Sequence, residues 1–313
     1  MKVLVTGGAG FIGSHVADAL VGRGHEVAVV DDLSSGKREQ VPASARFRQE
    51  DVRNAGRLRE IFDELRPDVV CHQAAQVSVS LSVREPVLDA SVNVIGTLNV
   101  LEAAKHAGTK RVVFASTGGA IYGEIPEPER ATTARAPHAF SPYAAAKLAS
   151  EAYLEVYRSQ YGLEYRVLRY ANVYGPRQDP HGEAGVVAIF SKRLLAGEPL
   201  TVFAKKAVGD DGCVRDYVYV ADVVRANVAA VEGELVEHVT NVATGVGTTT
   251  TQIALGLAAA LGIAPQLGHA PPRPGDLERS VLEPAAWMGR LVALDLGLAE
   301  TARWFAAQDP GRS

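Results

Sequence analysis

An eight-residue run, TGGAGFIG at positions 6–13, follows the apolar segment 2–5 and runs into a helical pattern that begins near Ser14. A strand, a glycine turn and a helix in that order form a phosphate cradle. Three of the glycines have separate duties. Gly7 lets the chain leave the strand sharply, Gly10 removes a side chain where a pyrophosphate approaches the backbone, and Gly13 lets the helix pack close to the sheet. The helix N-terminus then offers unpaired N–H groups and a partial positive charge. Segment 26–30 reads as a second buried strand ending in Asp31. A carboxylate there accepts the adenosine ribose hydroxyls and repels an added 2′-phosphate, which favours NAD over NADP. The bland alternative is that Asp31 only caps a loop.

With 313 residues, 47% of them hydrophobic, the chain can bury a full core as one large or two intimately joined domains. Lys and Arg number 32 against 36 Asp and Glu, a net charge of −4, so no basic stripe invites nucleic acid. Strand one begins at Lys2, which leaves no room for a signal peptide, and no window approaches about 18 uninterrupted apolar residues. The expectation is a cytoplasmic protein with no membrane partner. Cys71 and Cys213 lack metal or redox spacing and read as incidental thiols. The eight histidines are scattered singly, no metal is expected, and His72 reads as structural.

Strand and helix patterns then alternate: a strand at 45–49, an amphipathic helix at 57–65 closed by Arg66-Pro67, and a strand at 68–72. The small residues Gln73-Ala74-Ala75 follow that strand. A long helical pattern spans 86–107 with Asn93 interrupting its apolar face and Gly108 as its stop. Asn93 has two readings, a bridge between backbone segments or a contact to a cofactor or proton relay. A fifth strand at 111–115 delivers Ser116 and Thr117 to the turn Gly118-Gly119. This alternation predicts an α/β fold, a doubly wound parallel Rossmann sheet with right-handed crossovers that binds ligands at the carboxyl ends of its strands.

After a Pro- and charge-rich loop at 123–140, Ser141-Pro142 opens a helix in which Tyr143 and Lys147 lie one turn apart on one face. In isolation they are also compatible with two surface side chains. A phenol with a pKa of about 10 becomes a base at neutral pH only with a downward shift near three units, roughly 4 kcal/mol. Lys147 together with a positively charged nicotinamide supplies that by stabilising phenolate. Tyr143 then takes a proton from a substrate hydroxyl, with Thr117 or Ser116 sharing the hydrogen bond.

From about residue 176 the strict alternation breaks. Helical patterns at 184–196, 221–231 and 251–261, with short strands near Val202 and at 217–220, predict a smaller α/β substrate lobe. The expected division is 1–175 for the NAD-binding domain and 176–313 mainly for that lobe, with the chain crossing back.

TGGAGFIG, Asp31, the Ser-Thr strand end and the Tyr143/Lys147 pair together resemble the extended short-chain dehydrogenases/reductases. Further segments resemble their nucleotide-sugar branch, the UDP-glucose (UDP-galactose) 4-epimerases in particular. They are DDLSSGKRE (31–39), DVR (51–53), NVIGTLNVLEA (93–103), STGGAIYGE (116–124), RYANVYGPRQ (169–178), RDYVYVADV (215–223) and PRPGDLE (272–278). The resemblance implies that Phe11, Ile12, Asp31, Asp51, Val52, Ala74, Asn93, Tyr143, Lys147 and Ala171 touch NAD. It implies that Asn172, Arg215, Arg273 and Asp276 hold a UDP-sugar, and that the protein is a homodimer joined through helices 86–107 and 142–161. The sequence departs from the family at one place: the usual catalytic Ser/Thr position, four before the Tyr of the YG element, is Gly118. Thr117 is therefore the first candidate hydroxyl and Ser116 the second.

The implied reaction is epimerisation at C4 of a UDP-hexose. UDP-glucuronate or a UDP-N-acetylhexosamine are alternative substrates, and decarboxylation an alternative outcome. A 4,6-dehydratase needs an Asp-Glu pair where this chain has Gly118-Gly119. A non-catalytic NAD-binding sensor is the remaining class, and it has no use for a phenolate.

Overall fold

Residues 1–180, 185–273 and 275–308 are described by a computed structural model. Its strands are β1 (Lys2–Thr6), β2 (Glu26–Asp31), β3 (Arg46–Gln49), β4 (Val69–His72), β5 (Arg111–Thr117), β6 (Glu164–Tyr170) and β7 (Asn172–Tyr174). They continue with β8 (Leu200–Phe203), β9 (Val214–Tyr219), β10 (Val239–Val242), β11 (Gly247–Thr249), β12 (Leu267–Ala270) and β13 (Arg279–Ser280). Among the described residues, seven form one sheet in the order β10-β6-β5-β4-β1-β2-β3. The first five pair in parallel, with Thr6 opposite both Val30 and His72. β1, β2 and β4 are almost wholly buried apolar runs, as a sheet covered on both faces requires. The chain reverses its winding between β1 and β4, and the crevice at their carboxyl ends is where such sheets take ligands. The doubly wound parallel sheet is as expected, extended by β6 and β10.

The helices start and stop for local reasons. The first, Phe11–Gly22, begins ahead of Ser14 because Gly10, extended at φ −80° and ψ −178°, serves as its N-cap. Asn54 accepts from Arg57 N to open Ala55–Leu65, and Ser141 accepts from Ala144 N to open Pro142–Tyr161, with Pro142 in its first turn. Gly108 and Gly162 end their helices in the left-handed region. The helical span Pro86–Ala107 carries one wider π turn, Ser91–Ile95, around Asn93. By length and composition alone this span is apolar enough to cross a membrane. Its Val100, Leu101 and Ala104 instead pack with Phe62 and Leu65 in a core cluster.

The contacts divide the chain into two units, Met1–Thr117 with Ala139–Arg169 and Val224–Thr240, and Gly118–His138 with Tyr170–Val223 and Asn241–Ser313. This differs from a single cut at residue 175, since 118–138 and 170–175 group with the second unit and 224–240 with the first. The first unit is built on the core of Leu4, Val30, Phe62, Val70, Leu101 and Phe114.

In the second unit β9 pairs antiparallel with β11 and parallel with β7 and β13. The buried Asp216 ties this sheet together, accepting from Thr244 N and Oγ1, Gly245 N and Leu282 N. Helices Val186–Ala196, Thr250–Leu261 and Leu294–Gln308 contribute Leu194, Leu257 and Leu298 to a second core. Ala184, the expected first residue of the Val186–Ala196 helix, lies outside the described residues.

Candidate active site

The turn after β1 is built from main-chain bonds. Gly7, at φ +68°, donates its N–H to Val30 O at 2.8 Å, and a Cβ there would lie 2.5 Å from Ala74 N. A Cβ on Gly13 would lie 2.8 Å from the Gly7 carbonyl carbon, so Gly13 is required by the turn itself rather than by the sheet. At Gly10 a Cβ would meet only Gly7 O, at 3.3 Å. The turn does not force glycine there, whereas a ligand approaching the backbone would.

Phe11 and Ile12 head the helix, which has no side-chain cap and no acidic residue in its first turn. Its first N–H groups and positive end therefore suit a pyrophosphate. Asp31 Oδ2 accepts from Ala9 N and Oδ1 from Leu33 N, both at 2.9 Å. Burial pushes its carboxyl up and these main-chain bonds pull the other way. Gly36, to which the sequence alone assigns no role, lies against the turn: a Cβ would sit 2.8 Å from Ala9 C and 2.9 Å from Asp31 Oδ1. An uncapped helix start and a strand-end carboxylate fit the two ends of an ADP moiety.

The other residues assigned to NAD are placed as follows. Asp51 is engaged by Arg53, whose main-chain N donates at 2.8 Å and whose guanidinium holds the carboxyl below its ordinary value. Val52 is buried and its carbonyl accepts from Asn99 Nδ2 at 3.0 Å. Ala74 N donates to Thr6 Oγ1 at 3.4 Å beside Gly7. Asn93 is buried and bridges backbone segments: its Oδ1 accepts from Gln76 N at 3.0 Å, and its Nδ2 donates to Gln76 O and Asp89 Oδ1, both at 2.9 Å.

Around Tyr143 the construction is by side chains. Tyr143 is hydrogen-bonded to Thr117. Ser116 Oγ instead donates to Glu151 Oε1 at 2.5 Å, and Glu151 is ion-paired with the buried Arg169 at 2.6 Å. The two candidate hydroxyls thus have different partners. Lys147, 3% exposed, donates to Ala115 O at 2.9 Å, and its Nζ lies 6.0 Å from the Tyr143 ring centroid. Burial lowers Lys147 to about 8 against the opposing pull of Asp89 and Glu151.

Tyr143 does not follow the downward shift expected of a base. Burial and then the Asp89 carboxylate push it up, and the Thr117 bond opposes them. The protein by itself favours the phenol. Beneath the pair, His72 joins Thr6 Oγ1 at 2.6 Å to Thr97 Oγ1 at 3.0 Å, and burial with Lys147 beside it lowers His72 to about 3. His72 is a neutral structural link, as its sequence position suggests.

In the second unit, Ala171 is buried and donates its N–H to Val242 O. Asn172 is exposed, and a Cβ on Gly119 would lie 3.1 Å from its Oδ1. Arg273 Nε donates to Asp276 Oδ2 at 2.8 Å, and its guanidinium lies over Phe203 at 4.8 Å. Arg215 is hydrogen-bonded to Cys213, whose thiol is pushed up by burial and also feels the charges of Asp276 and Arg273. The charges of Arg215, Arg273 and Asp276 are thus all felt at Cys213, which the spacing does not disclose. Pro274 of the PRPGDLE segment lies outside the described residues.

Residues 3–243 match the NAD dependent epimerase/dehydratase family. The chain is 45% identical to a UDP-glucose 4-epimerase of Mycolicibacterium smegmatis, over 97% of this chain and 98% of that protein. The crystal structure of a Thermus thermophilus UDP-glucose 4-epimerase in complex with NAD is 55% identical with a TM-score of 0.94, covering 98% of this chain and 99% of that one. The UDP-glucose 4-epimerase of Thermotoga maritima with UDP-glucose is 47% identical with a TM-score of 0.92 and the same coverage. With a glycine turn, a strand-end Asp31 and a Thr117-bonded Tyr143 beside Lys147, the chain belongs to the NAD dependent epimerase/dehydratase family.

Proposed function

We propose that the protein interconverts UDP-glucose and UDP-galactose at C4 through a transient 4-keto sugar. The observation that carries this reading is the Thr117–Tyr143 hydrogen bond beside the buried Lys147. NAD held at the glycine turn and Asp31 would supply a hydride acceptor and donor for C4, so that no net redox occurs. Tyr143 takes the C4 hydroxyl proton in one half of the cycle and gives it back in the other. Thr117 shares that hydrogen bond and favours the charged form of the phenol. Lys147, fixed by Ala115 O and mostly protonated at neutral pH, stabilises the negative charge that develops on Tyr143.

Arg215 and Arg273 suit a diphosphate because a guanidinium fork matches two phosphate oxygens. Asp276 aims Arg273 through its 2.8 Å bond, and Asn172 adds an amide for the nucleotide sugar. Gly118 and Gly119 leave no carboxylates for the acid and base that elimination of water requires. Similarity to the two UDP-glucose 4-epimerase structures supports the UDP-hexose over uronates and N-acetylated sugars.

The same reading makes the protein a cytoplasmic enzyme of galactose metabolism and a homodimer. Val87 and Ile95 on one helix, and Tyr153, Val156 and Tyr161 on another, are exposed, and a second copy would cover them. Light scattering that finds only monomer overturns that part.

Purified protein incubated with UDP-galactose, first alone and then with NAD, is followed by proton NMR of the sugar. UDP-glucose is the expected product. An unchanged sugar after NAD addition overturns the assignment.

A further inference from the structure

Two carboxylates act on Lys147, and only one of them is neutralised. Glu151, one turn along the same helix, is ion-paired with Arg169 and accepts the Ser116 hydroxyl. Asp89, on the helical span opposite, is 1% exposed. Its Oδ1 accepts from Gln76 Nε2 at 2.7 Å and from Asn93 Nδ2 at 2.9 Å. Among the described residues its Oδ2 is buried without a hydrogen-bond partner and Asp89 forms no ion pair.

A carboxylate oxygen buried from bulk solvent, with no protein donor among the described residues, keeps its field. Asn93, which holds Asp89 Oδ1, also accepts at its carbonyl from Ser150 Oγ at 3.0 Å on the helix of Tyr143 and Lys147, and the Asp89 charge there opposes ionisation of the phenol and favours the ammonium. The remaining charged groups are accounted for. His72 on β4 is neutral, Glu151 is spent on Arg169, and Arg84 of helix Val79–Arg84 is exposed and bonded to Ser80. At its carboxyl end β5 contributes the hydroxyls of Ser116 and Thr117, and Arg111 at its other end donates to Ala230 O and Val231 O.

We propose that Asp89 is a positioning residue for the chemistry, a fixed negative charge that sets the pH window in which Tyr143 exchanges its proton and Lys147 stays charged. The proposal rests on Tyr143 as the base and deepens that reading. In a reversible epimerisation the same tyrosine must release in the second half-cycle the proton it took in the first. Too stable a phenolate would take the proton poorly and too stable a phenol would not ionise. Asp89 offsets the stabilising pull of Lys147 and a cationic nicotinamide, so that neither form dominates. Gln76 and Asn93 hold its Oδ1 in place.

The test replaces Asp89→Asn in the full chain, which keeps Oδ1 as an acceptor and removes the charge. Both limbs of the kcat pH profile should move to lower pH, by about one unit. The tyrosinate absorbance titration without substrate, taken as a difference from the Tyr143→Phe protein, should move the same way. Asp89→Glu should return the limbs toward the wild-type position. Loss of rate with unmoved limbs and an unmoved titration would reduce Asp89 to a structural anchor and overturn the proposal.

If Asp89→Asn does not fold, carbon-13 carboxyl NMR of aspartate-labelled wild type decides, with Asp89→Glu identifying the signal. Asp89 found protonated at neutral pH overturns the proposal and Asp89 found ionised supports it. A Tyr143→Phe protein that stays active defeats the base assignment instead. A chain inactive on UDP-galactose leaves the tyrosinate titration to judge Asp89 by itself.

Discussion

The turn around Gly7 and the corner around Tyr143 belong to the same unit and are constructed by opposite means. The turn is held by main-chain bonds, Gly7 to Val30, Gly10 to Gly7 and Lys37 to Ala9, with Asp31 as its one anchoring carboxylate. The corner is held by side chains, from Thr6 and His72 through Thr97 to Asn93 and Ser150. A main-chain site tolerates most substitutions but fails where an added Cβ strikes backbone. A side-chain site keeps its backbone under substitution, yet each buried partner left unsatisfied costs about 1–3 kcal/mol.

The largest effect is expected in the corner. Tyr143→Phe removes one hydroxyl and keeps the ring, so the fold should persist while turnover of UDP-galactose falls by about 10³-fold. Proton NMR of the sugar and circular dichroism on the same sample separate the two effects. Retention of a tenth or more of the wild-type rate would mean that the corner is structural and that the two regions do not differ in the way argued.

Next comes the turn. Gly13→Ala drives a Cβ into Gly7 O and to 2.9 Å from Gly8 Cα, both of them backbone. A loss of about 2–3 kcal/mol in denaturant unfolding is expected, together with weakened NAD binding, because the atoms displaced are those of the phosphate cradle. Wild-type stability in this variant would show that the turn moves aside, and the contrast with the corner would collapse.

These two regions also differ in how far the sequence discloses them. TGGAGFIG, Asp31 and the Tyr143/Lys147 pair are legible because the chemistry depends on short-range spacing along a strand, a turn or one helical face. The partners that decide how the corner works are not. Asp89 meets Gln76 and Asn93 through a π turn, and Ser116 meets Glu151 and Arg169 across helix and strand, so no local period encodes them.

The same limit hides β6. EYRVLRY looks half polar, yet Arg166 and Arg169 are buried, one donating to Leu235 O at 2.7 Å and the other paired with Glu151. The last helix, Leu294–Gln308, is obscured because Gly297 interrupts it. That glycine is there because a Cβ would lie 2.9 Å from Tyr174 Cζ. The direction of the Tyr143 shift is illegible for a related reason, since burial and Asp89 outweigh the stabilisation that a neighbouring lysine suggests.

A smaller effect tests the corner without its chemistry. His72 is lowered to about 3 in the folded protein, so between that value and its ordinary 6.5 the unfolded chain holds a proton that the folded chain refuses. Its contribution is therefore fully present above the ordinary value and is lost as pH falls through this window, about 2 kcal/mol by pH 5. His72→Gln does not titrate, so the stability gap between wild type and variant should shift by that amount between pH 7 and pH 5. Parallel stability curves would show that the His72 link is not protected from protonation.

The smallest expected effect sharpens the description of the turn. Gly22 ends the same helix whose first turn holds Gly13, but a Cβ there would meet nothing within 4 Å. Its φ lies outside the left-handed region, so alanine fits the existing backbone and the variant loses less chain entropy on folding. Gly22→Ala should therefore raise stability by about 0.5 kcal/mol and leave NAD affinity unchanged. Opposite signs at two glycines of one helix would tie the cost at Gly13 to contact with the turn rather than to helix propensity. If both substitutions destabilise alike, the helix and not the cradle is what the glycines serve, and the main-chain account of this region fails.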